Sequence, residues 1–422
     1  MVEQPIEVDV QIAGRDVPAG HLWTHRHGQT ESATFSYRED YLQRADAYEL
    51  DPGLPLQAGQ HQTPVKQPLF GAMSDCAPDG WGRRLVRRAE AQRTREADTQ
   101  QRGLTEVGFL LGARDDLRQG ALRFRGHDSE QYLASDTEGV PHLIGLPRLL
   151  NAAEELERDE PTSEDLRLLL HGGSSLGGAR PKAHVLDTQG RLAIAKFPSP
   201  QADEWDVIRW EAVALTLATN AGITVPEHKL HVIENRPVLV VRRFDRDGGG
   251  RLGYLSAMSM LQAKDREQAS YLEIGQVLEE RSSDATADLR ELWRRIVFTV
   301  LISNTDDHLR NHGFLRLSTA GWSLSPAFDL NPDPEGGVKE LATAIDENSA
   351  QASLATALEV AELFRVSDAQ AREIVGDVSN ATARWRDVAR ATGLDGRELE
   401  RLEPAFEHEQ SAAAHELITA PS

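Results

Sequence analysis

Apolar and polar residues alternate near the start of the chain: Val8, Val10 and Ile12, then Leu22 with Thr24, then Phe35 with Tyr37. A period of two is that of a half-buried strand, so residues 1–40 read as strands. Loops rich in Gly and Pro follow from Asp51 to Pro68, and helical patterns come next around Asp79–Thr94 and Leu146–Glu157. The run His171-Gly172-Gly173-Ser174-Ser175-Leu176-Gly177-Gly178-Ala179 holds four glycines and reads as a loop with wide backbone freedom. Beyond it, strands are predicted at Ala183–Leu186 and Leu192–Phe197, and a helix over Asp203–Asn220 with Ile208, Ala212, Leu215 and Ala218 as its apolar positions. Gly222 is the stop signal of that helix. A hairpin is predicted from Lys229–Ile233 and Val238–Phe244, turning at Glu234-Asn235-Arg236, and the polar stretch Asp245–Gly250 reads as a hinge or linker. After Leu255 helices dominate. The strongest covers Ala285–Ser303, with Leu292, Ile296, Val297, Val300 and Leu301 on one stripe. Short strands flank Gly321, and residues 350–415 read as helices rich in Ala and Glu.

The 422 residues suffice for two or three compact units. No apolar run has the length of a membrane span. Glu3, Glu7 and Asp9 make the start unlike a signal peptide, and the single cysteine, Cys76, cannot form an internal disulfide. A cytoplasmic protein with no membrane contact is the expectation. The net charge of −21 argues against a broad nucleic-acid-binding face. The basic cluster Arg83-Arg84 and Arg87-Arg88 lies on a predicted helix and reads as its solvated side.

Three clusters carry chemistry. The first is the glycine loop ending in Gly177-Gly178-Ala179-Arg180-Pro181-Lys182, a type of loop whose N–H groups can converge on phosphate oxygens. Taken alone, such a loop is more often a simple connection. The second is Lys196 at the end of the apolar strand Ala193-Ile194-Ala195-Lys196-Phe197, with Glu211 on the next helix as a candidate partner. A strand Lys paired with a helix Glu is how protein kinases hold ATP phosphates. The bland alternative is a lysine reaching out to solvent from a strand end. The third is Asn304-Thr305-Asp306-Asp307-His308-Leu309-Arg310-Asn311, straight after an apolar helix. Asp306 and Asn311 are five apart, the kinase catalytic-loop spacing, in which the Asp orients the acceptor hydroxyl and the Asn holds Mg²⁺. Ala327-Phe328-Asp329 then offers a second oxygen ligand. Any one of these has an ordinary structural explanation; their order is that of a kinase.

With these residues in view, the chain resembles the HipA family of toxin kinases. Ser175 to Lys182 resembles that family's serine-bearing phosphate loop, Val240-Val241-Arg242-Arg243-Phe244-Asp245-Arg246 its hinge, Asn304 to Asn311 its catalytic loop, and Ser325-Pro326-Ala327-Phe328-Asp329 its metal segment. The Phe35-Ser36-Tyr37 strand and Pro78-Asp79-Gly80-Trp81-Gly82-Arg83-Arg84-Leu85 fit as well, so the resemblance spans nearly the whole chain. Arg242 departs from it, standing where some relatives have an acidic residue. There is no His-Arg-Asp triplet of eukaryotic type; His308 follows Asp306 by two, as in phosphoinositide-kinase-like loops.

The resemblance implies an α+β fold: a β-rich N-terminal subdomain (1–130), a kinase small-lobe-like region with the Gly-rich loop and hinge (131–250) and an all-helical C-terminal lobe with the catalytic and metal loops (251–422). ATP would lie between the second and third parts. It implies Asp306 as the catalytic residue. Gly177, Gly178, Ala179, Arg180, Lys182, Lys196, Arg242, Arg243, Phe244, His308, Asn311, Phe328 and Asp329 would contact ATP, and Asn311 and Asp329 would bind Mg²⁺. Glu211 would pair with Lys196, and Ser175 would be autophosphorylated, with Ser174 its nearest competitor. The implied activity is serine/threonine protein phosphorylation. Substrates in the family include aminoacyl-tRNA synthetases, and its partner is a helix-turn-helix antitoxin through which DNA would be reached. Two alternatives stay open: a kinase of a small molecule or lipid, and a catalytically silent binding or co-repressor module.

Overall fold

The computed structural model describes residues 4–28, 30–96, 104–135, 139–159, 161–173, 175–264 and 267–419; Ser174 lies outside them. The chain divides into two compact units, one of Met1–Ala202 with Val240–Leu255 and one of Asp203–Leu239 with Ser256–Ser422.

In the first unit the alternating segments at the N-terminus form an antiparallel sheet. Its strand order is His61–Gln62, Thr30–Tyr37, Arg15–His27, Ile6–Ile12, Leu122–Arg125. Val8, Val10, Leu22, Phe35 and Phe124 are buried, as a period of two demands. Helices Gly80–Glu96, Leu146–Glu157 and Ser163–Gly173 follow, then the antiparallel pair Lys182–Leu186 and Leu192–Lys196. The arginines of the first helix are largely paired: Arg83 with Glu106 at 2.6 Å, Arg84 with Glu157 at 2.5 Å, and Arg88 with Asp159.

Two expectations change here. Gly172 and Gly173 are not loop residues; they close the helix Ser163–Gly173 and are buried. A Cβ on Gly173 would sit 2.9 Å from Leu85 Cδ1 and 3.0 Å from Lys182 O, so glycine lets the helix end lie against its neighbours. Asp245–Gly250 is no linker. Arg246–Asp247 and Gly250–Arg251 pair as a hairpin, turned by Gly248 and Gly249 at φ 52° and 86°. Asp245 at its base is buried, with Oδ2 accepting from Gly120 N at 2.8 Å.

In the second unit, helix Val207–Asn220 is capped by the Asp206 side chain and ends where Gly222 turns left-handed at φ 77°. The turn Glu234-Asn235 has both residues left-handed, at φ 49° and 66°, between strands His228–Ile233 and Arg236–Arg242. Such a turn matches the twist of the strands it joins. The division between the units falls within the second of these strands. Helix Ala285–Leu301 starts on Asp284, whose side chain accepts from Ala287 N, and buries Leu289, Leu292, Trp293, Ile296, Val297, Val300 and Leu301. The C-terminal lobe is predominantly rather than wholly helical. Gly313–Ser318 and Gly321–Leu324 form the hairpin around Gly321, and Ala269–Ser270 pairs in parallel with Thr343–Ala344. No helix among the described residues is long and apolar enough to cross a membrane.

Candidate active site

In the first unit the glycine loop is seated on the start of helix Gly80–Glu96. Trp81 N donates to Gly178 O at 2.7 Å, Gly82 N to Leu176 O at 3.2 Å, and Trp81 Nε1 to Lys182 O at 2.8 Å. Helix starts leave N–H groups without intrahelical partners, and here the loop carbonyls take them. A trans peptide points each C=O away from the following N–H. Seating the carbonyls of Leu176 and Gly178 on the helix therefore turns the N–H groups of Gly177 and Ala179 outward, and both residues are exposed. A Cβ on Gly80 would meet Gly178 O at 2.5 Å, so the motif Pro78–Leu85 is a seat for this loop.

Lys182 stands directly opposite Lys196 across the strand pair. Opposed residues of an antiparallel pair share a face, and like charges so placed repel unless an anion lies between or beside them. Lys182 Nζ also folds over Gly178, 2.4 Å from where a Cβ would be. Lys182, Lys196 and Arg180 are half-buried; Ala193, Ala195 and Phe197, around Lys196, are buried. Ser175 is 7% exposed, and its hydroxyl donates to Leu117 O at 3.3 Å.

Of the hinge residues, Arg242 and Phe244 are half-buried, with the Phe244 ring 6.3 Å from that of Tyr254. Arg243 is 6% exposed and its side chain is committed to the interior. It donates to Asp245 through Nε (2.8 Å) and Nη2 (2.5 Å), to Leu117 O (2.5 Å) and to His184 Nε2 (2.8 Å). The Arg243 side chain thus points into the first unit, which leaves the hinge backbone for the expected adenine contact; Arg243 N donates to Leu192 O at 3.0 Å. His184 Nδ1 donates to Gly172 O at 2.9 Å, which fixes the tautomer whose Nε2 accepts from Arg243. Burial and the Arg243 charge hold the His184 pKa well below the ordinary imidazole value. Burial alone would raise that of Asp245, but Arg243 and Arg246 bring it below the usual carboxylate range.

In the second unit, helix Ala285–Leu301 ends at Ile302, and Ser303 turns left-handed at φ 52°. That turn swings the chain into the loop Asn304–Asn311. The two adjacent carboxylates separate: Asp306 is exposed, whereas Asp307 is 3% exposed. Asp307 Oδ2 accepts from the Tyr271 hydroxyl and from Thr299 Oγ1 (3.4 Å), with His312 Nε2 3.2 Å away. Burial pushes the Asp307 pKa up, but His312 and the Tyr271 hydroxyl outweigh it and the net direction is down; burial and the Asp307 charge push Tyr271 well up, keeping it a donor. Asn311 Nδ2 donates to Asp306 O at 3.1 Å, so Oδ1 is the amide atom available to a cation. His308 is half-buried, its Nδ1 without a hydrogen-bond partner among the described residues.

The segment Ser325–Asp329 is tied to this loop. Asn304, fully buried, accepts through Oδ1 from Asn331 N at 3.1 Å, and Asn331 Nδ2 donates to Asp329 O at 3.2 Å. Asp333 N donates to Ser303 O at 3.1 Å, and Thr305 Oγ1 to Asp333 Oδ2 at 2.9 Å. Asp329 is left-handed at φ 59°, uncommon for a non-glycine residue and frequent at functional sites. Asn311, Phe328 and Leu330 line one small pocket with Asp307 and His312, so the amide and the chain on both sides of Asp329 converge. Asn311 and Asp329 offer hard oxygen donors of the kind Mg²⁺ takes. Among the described residues no group of three or more His, Cys, Asp or Glu could hold a metal unaided. Glu211 is buried in helix Val207–Asn220 of this unit, whereas Lys196 belongs to the first. Sequence reasoning missed Asn304, Asp307, Tyr271, His184 and Asn331 as individual contributors. Only the doubled Asp306-Asp307 signalled that one carboxylate was structural.

A model of the HipA-like C-terminal domain matches residues 174–385, and one of the HipA N-terminal domain matches residues 10–109. The chain is 25% identical over 190 residues to "Putative kinase" of Haemophilus influenzae (39% of this chain, 54% of that protein), and 32% over 152 residues to "Putative kinase Y4dM" of Sinorhizobium fredii (32% and 36%). It thus spans about half and about a third of their lengths. A chain of the Shewanella oneidensis MR-1 toxin–antitoxin system HipA, HipB and its operator DNA complex matches with a TM-score of 0.66 at 14% identity, over 97% of this chain and 96% of that one. The architecture is accordingly of the HipA-like α+β class. The chain belongs to the HipA family.

Proposed function

We propose that the chain is an ATP- and Mg²⁺-dependent kinase that phosphorylates serine or threonine hydroxyls of a protein, and that it is the toxin of a toxin–antitoxin pair. The observation that carries the reading is the separation of Asp306 from Asp307 in a loop that also holds Asn311 and is tied to Asp329. One carboxylate faces outward to orient an acceptor hydroxyl, and two oxygen ligands serve a metal that neutralises phosphate charge. The outward N–H groups of Gly177 and Ala179 and the opposed Lys182 and Lys196 suit the phosphates of ATP. Relatives named as kinases support the same chemistry. By the family analogy, the acceptor is a translation-related protein such as an aminoacyl-tRNA synthetase. The partner is a helix-turn-helix antitoxin, which would supply the DNA contacts that a net charge of −21 disfavours. Incubation with labelled Mg-ATP and a cell extract, followed by phosphosite mass spectrometry, tests this. Label on lipid or sugar alone would favour the small-molecule alternative, and no transfer at all a silent module.

Mg²⁺ dependence is a specific outcome. Asn311 and Asp329 leave most octahedral positions to phosphate and water. Nucleotide affinity is expected to fall when Mg²⁺ is chelated, and Asp329→Ala to reproduce the loss, as measured by titration calorimetry. Equal affinity with and without the ion would remove the site.

Ser175 is proposed to be autophosphorylated. Its hydroxyl is buried against Leu117 O, so modification requires the loop to leave its seat. Freedom for that motion rests on Gly177 and Gly178, Gly172 and Gly173 being helical. The phosphate adds close to two negative charges, which the ATP phosphates repel and Arg180 and Lys182 attract. Intact-mass and phosphopeptide analysis after incubation with Mg-ATP is expected to find one phosphate on Ser175 and none there in Ser175→Ala. An active wild type that gains none would sink this idea alone.

A further inference from the structure

Asp307 is the carboxylate that the proposed chemistry leaves unused. It is almost wholly buried beside the residue proposed as catalytic. Its Oδ2 gathers three groups from three places in the fold: the hydroxyl of Tyr271 at the start of helix Tyr271–Arg281, Thr299 of helix Ala285–Leu301, and His312 directly after Asn311. The His312 ring also stands edge-on to Tyr271, with centroids 5.4 Å apart. Burying a carboxylate is costly, and an apolar side chain of similar size would fill the place with less desolvation. What the carboxylate adds is direction.

We infer that Asp307 is a positioning residue that sets the spacing between Asp306 and Asn311. Asp307 follows Asp306 and His312 follows Asn311; His312 Nε2 lies 3.2 Å from Asp307 Oδ2, in ion-pair range but without a hydrogen bond, so the approach of residues 307 and 312 closes the loop at its base. Three further bonds then fix its interior: Asn311 Nδ2 to Asp306 O at 3.1 Å, His308 N to Asp306 O at 2.9 Å, and Asn311 N to His308 O at 2.8 Å. The exposed Asp306 carboxylate and the buried Asn311 amide inherit their separation from this frame. The inference rests on the kinase reading for its effect on rate, and on geometry alone for its effect on loop order.

The test compares wild type, Asp307→Ala, Asp307→Asn and Tyr271→Phe in four measurements: kcat, KM for ATP, nucleotide affinity with Mg²⁺ and with chelator, and amide hydrogen exchange. For Asp307→Ala a kcat lower by roughly tenfold to a hundredfold is expected, the scale of a misplaced reacting group. Its Mg²⁺-dependent gain in nucleotide affinity falls, its affinity in chelator stays, and exchange accelerates within residues 304–312. Asp307→Asn recovers most of each, because its Oδ1 still accepts from Tyr271. Wild-type kcat and exchange in Asp307→Ala would overturn the inference, as would protection lost evenly along the chain. Should Asp307→Ala fail to fold, Tyr271→Phe removes one donor and keeps the ring, and the same two outcomes decide. A wild type without phosphoryl transfer defeats the kinase reading instead, and exchange in the variants still judges the frame.

Discussion

Asp306→Asn is expected to lower phosphoryl transfer by a factor of roughly 10² or more, with ATP binding close to wild type. The substitution keeps the size of the side chain and leaves the peptide carbonyl that Asn311 Nδ2 and His308 N both use. It removes the carboxylate's ability to orient and receive the hydroxyl proton. A hundredfold loss corresponds to about 2.7 kcal/mol of transition-state stabilisation. Asp306 is exposed, in contrast to its neighbour, so the loss is not expected to come with unfolding. Single-turnover transfer from labelled ATP, beside equilibrium nucleotide binding, measures the two effects separately. A folded variant with wild-type transfer would return the role to another residue.

The largest stability effect is expected at Asp245. Asp245→Ala leaves Arg243 and Arg246, whose side chains are only 5% and 13% exposed, without their shared carboxylate. Gly120 N loses its acceptor as well. Removing one partner of a buried ion pair costs about 3–5 kcal/mol. The same change at Asp46, whose bond to Arg44 lies at the surface, is expected to cost under about 1 kcal/mol and serves as the control. Chemical denaturation of both variants checks the contrast, and equal midpoint shifts would contradict it. Acid should weaken the same region. His184 stays neutral in the folded chain, so as pH falls through about 6.5 the unfolded chain gains a proton that the folded one does not. Stability therefore declines below that pH. It declines again below about pH 4, where unfolded carboxylates protonate before the depressed Asp245 does.

Much of this fold is legible locally. The stripe Leu292 to Leu301, the stop at Gly222 and the turn at Glu234-Asn235 depend on neighbours in the chain, and each forms where the pattern puts it. What escapes is set by residues far apart. Nothing near Asp307 distinguishes it from Asp306 until Tyr271 and His312 arrive around it. Arg243 reads as a hinge cation until Leu117, His184 and Asp245 are seen to surround it. Gly172 and Gly173 suggest a loop by composition, yet they close a helix, and it is the closeness of Ala183 to the first and of Leu85 and Lys182 to the second that calls for glycine there. The hairpin Asp245–Gly250 has linker composition because its two turn residues must be left-handed, while its base is buried.

The discontinuity of the first unit has a consequence for dissecting the gene. Val240–Leu255 supplies Arg243, Asp245 and Arg251, which bond Leu117 O, Gly120 N and Asp115 within that unit. A clone stopped after codon 202 would encode the first unit without this piece. A clone opened at codon 203 would carry the piece without its partners. No single truncation point yields either unit whole. To express the first unit alone, the chain would have to stop after codon 255 and the stretch 203–239 be excised, its ends rejoined by a designed loop, as one removes an inserted segment from its host.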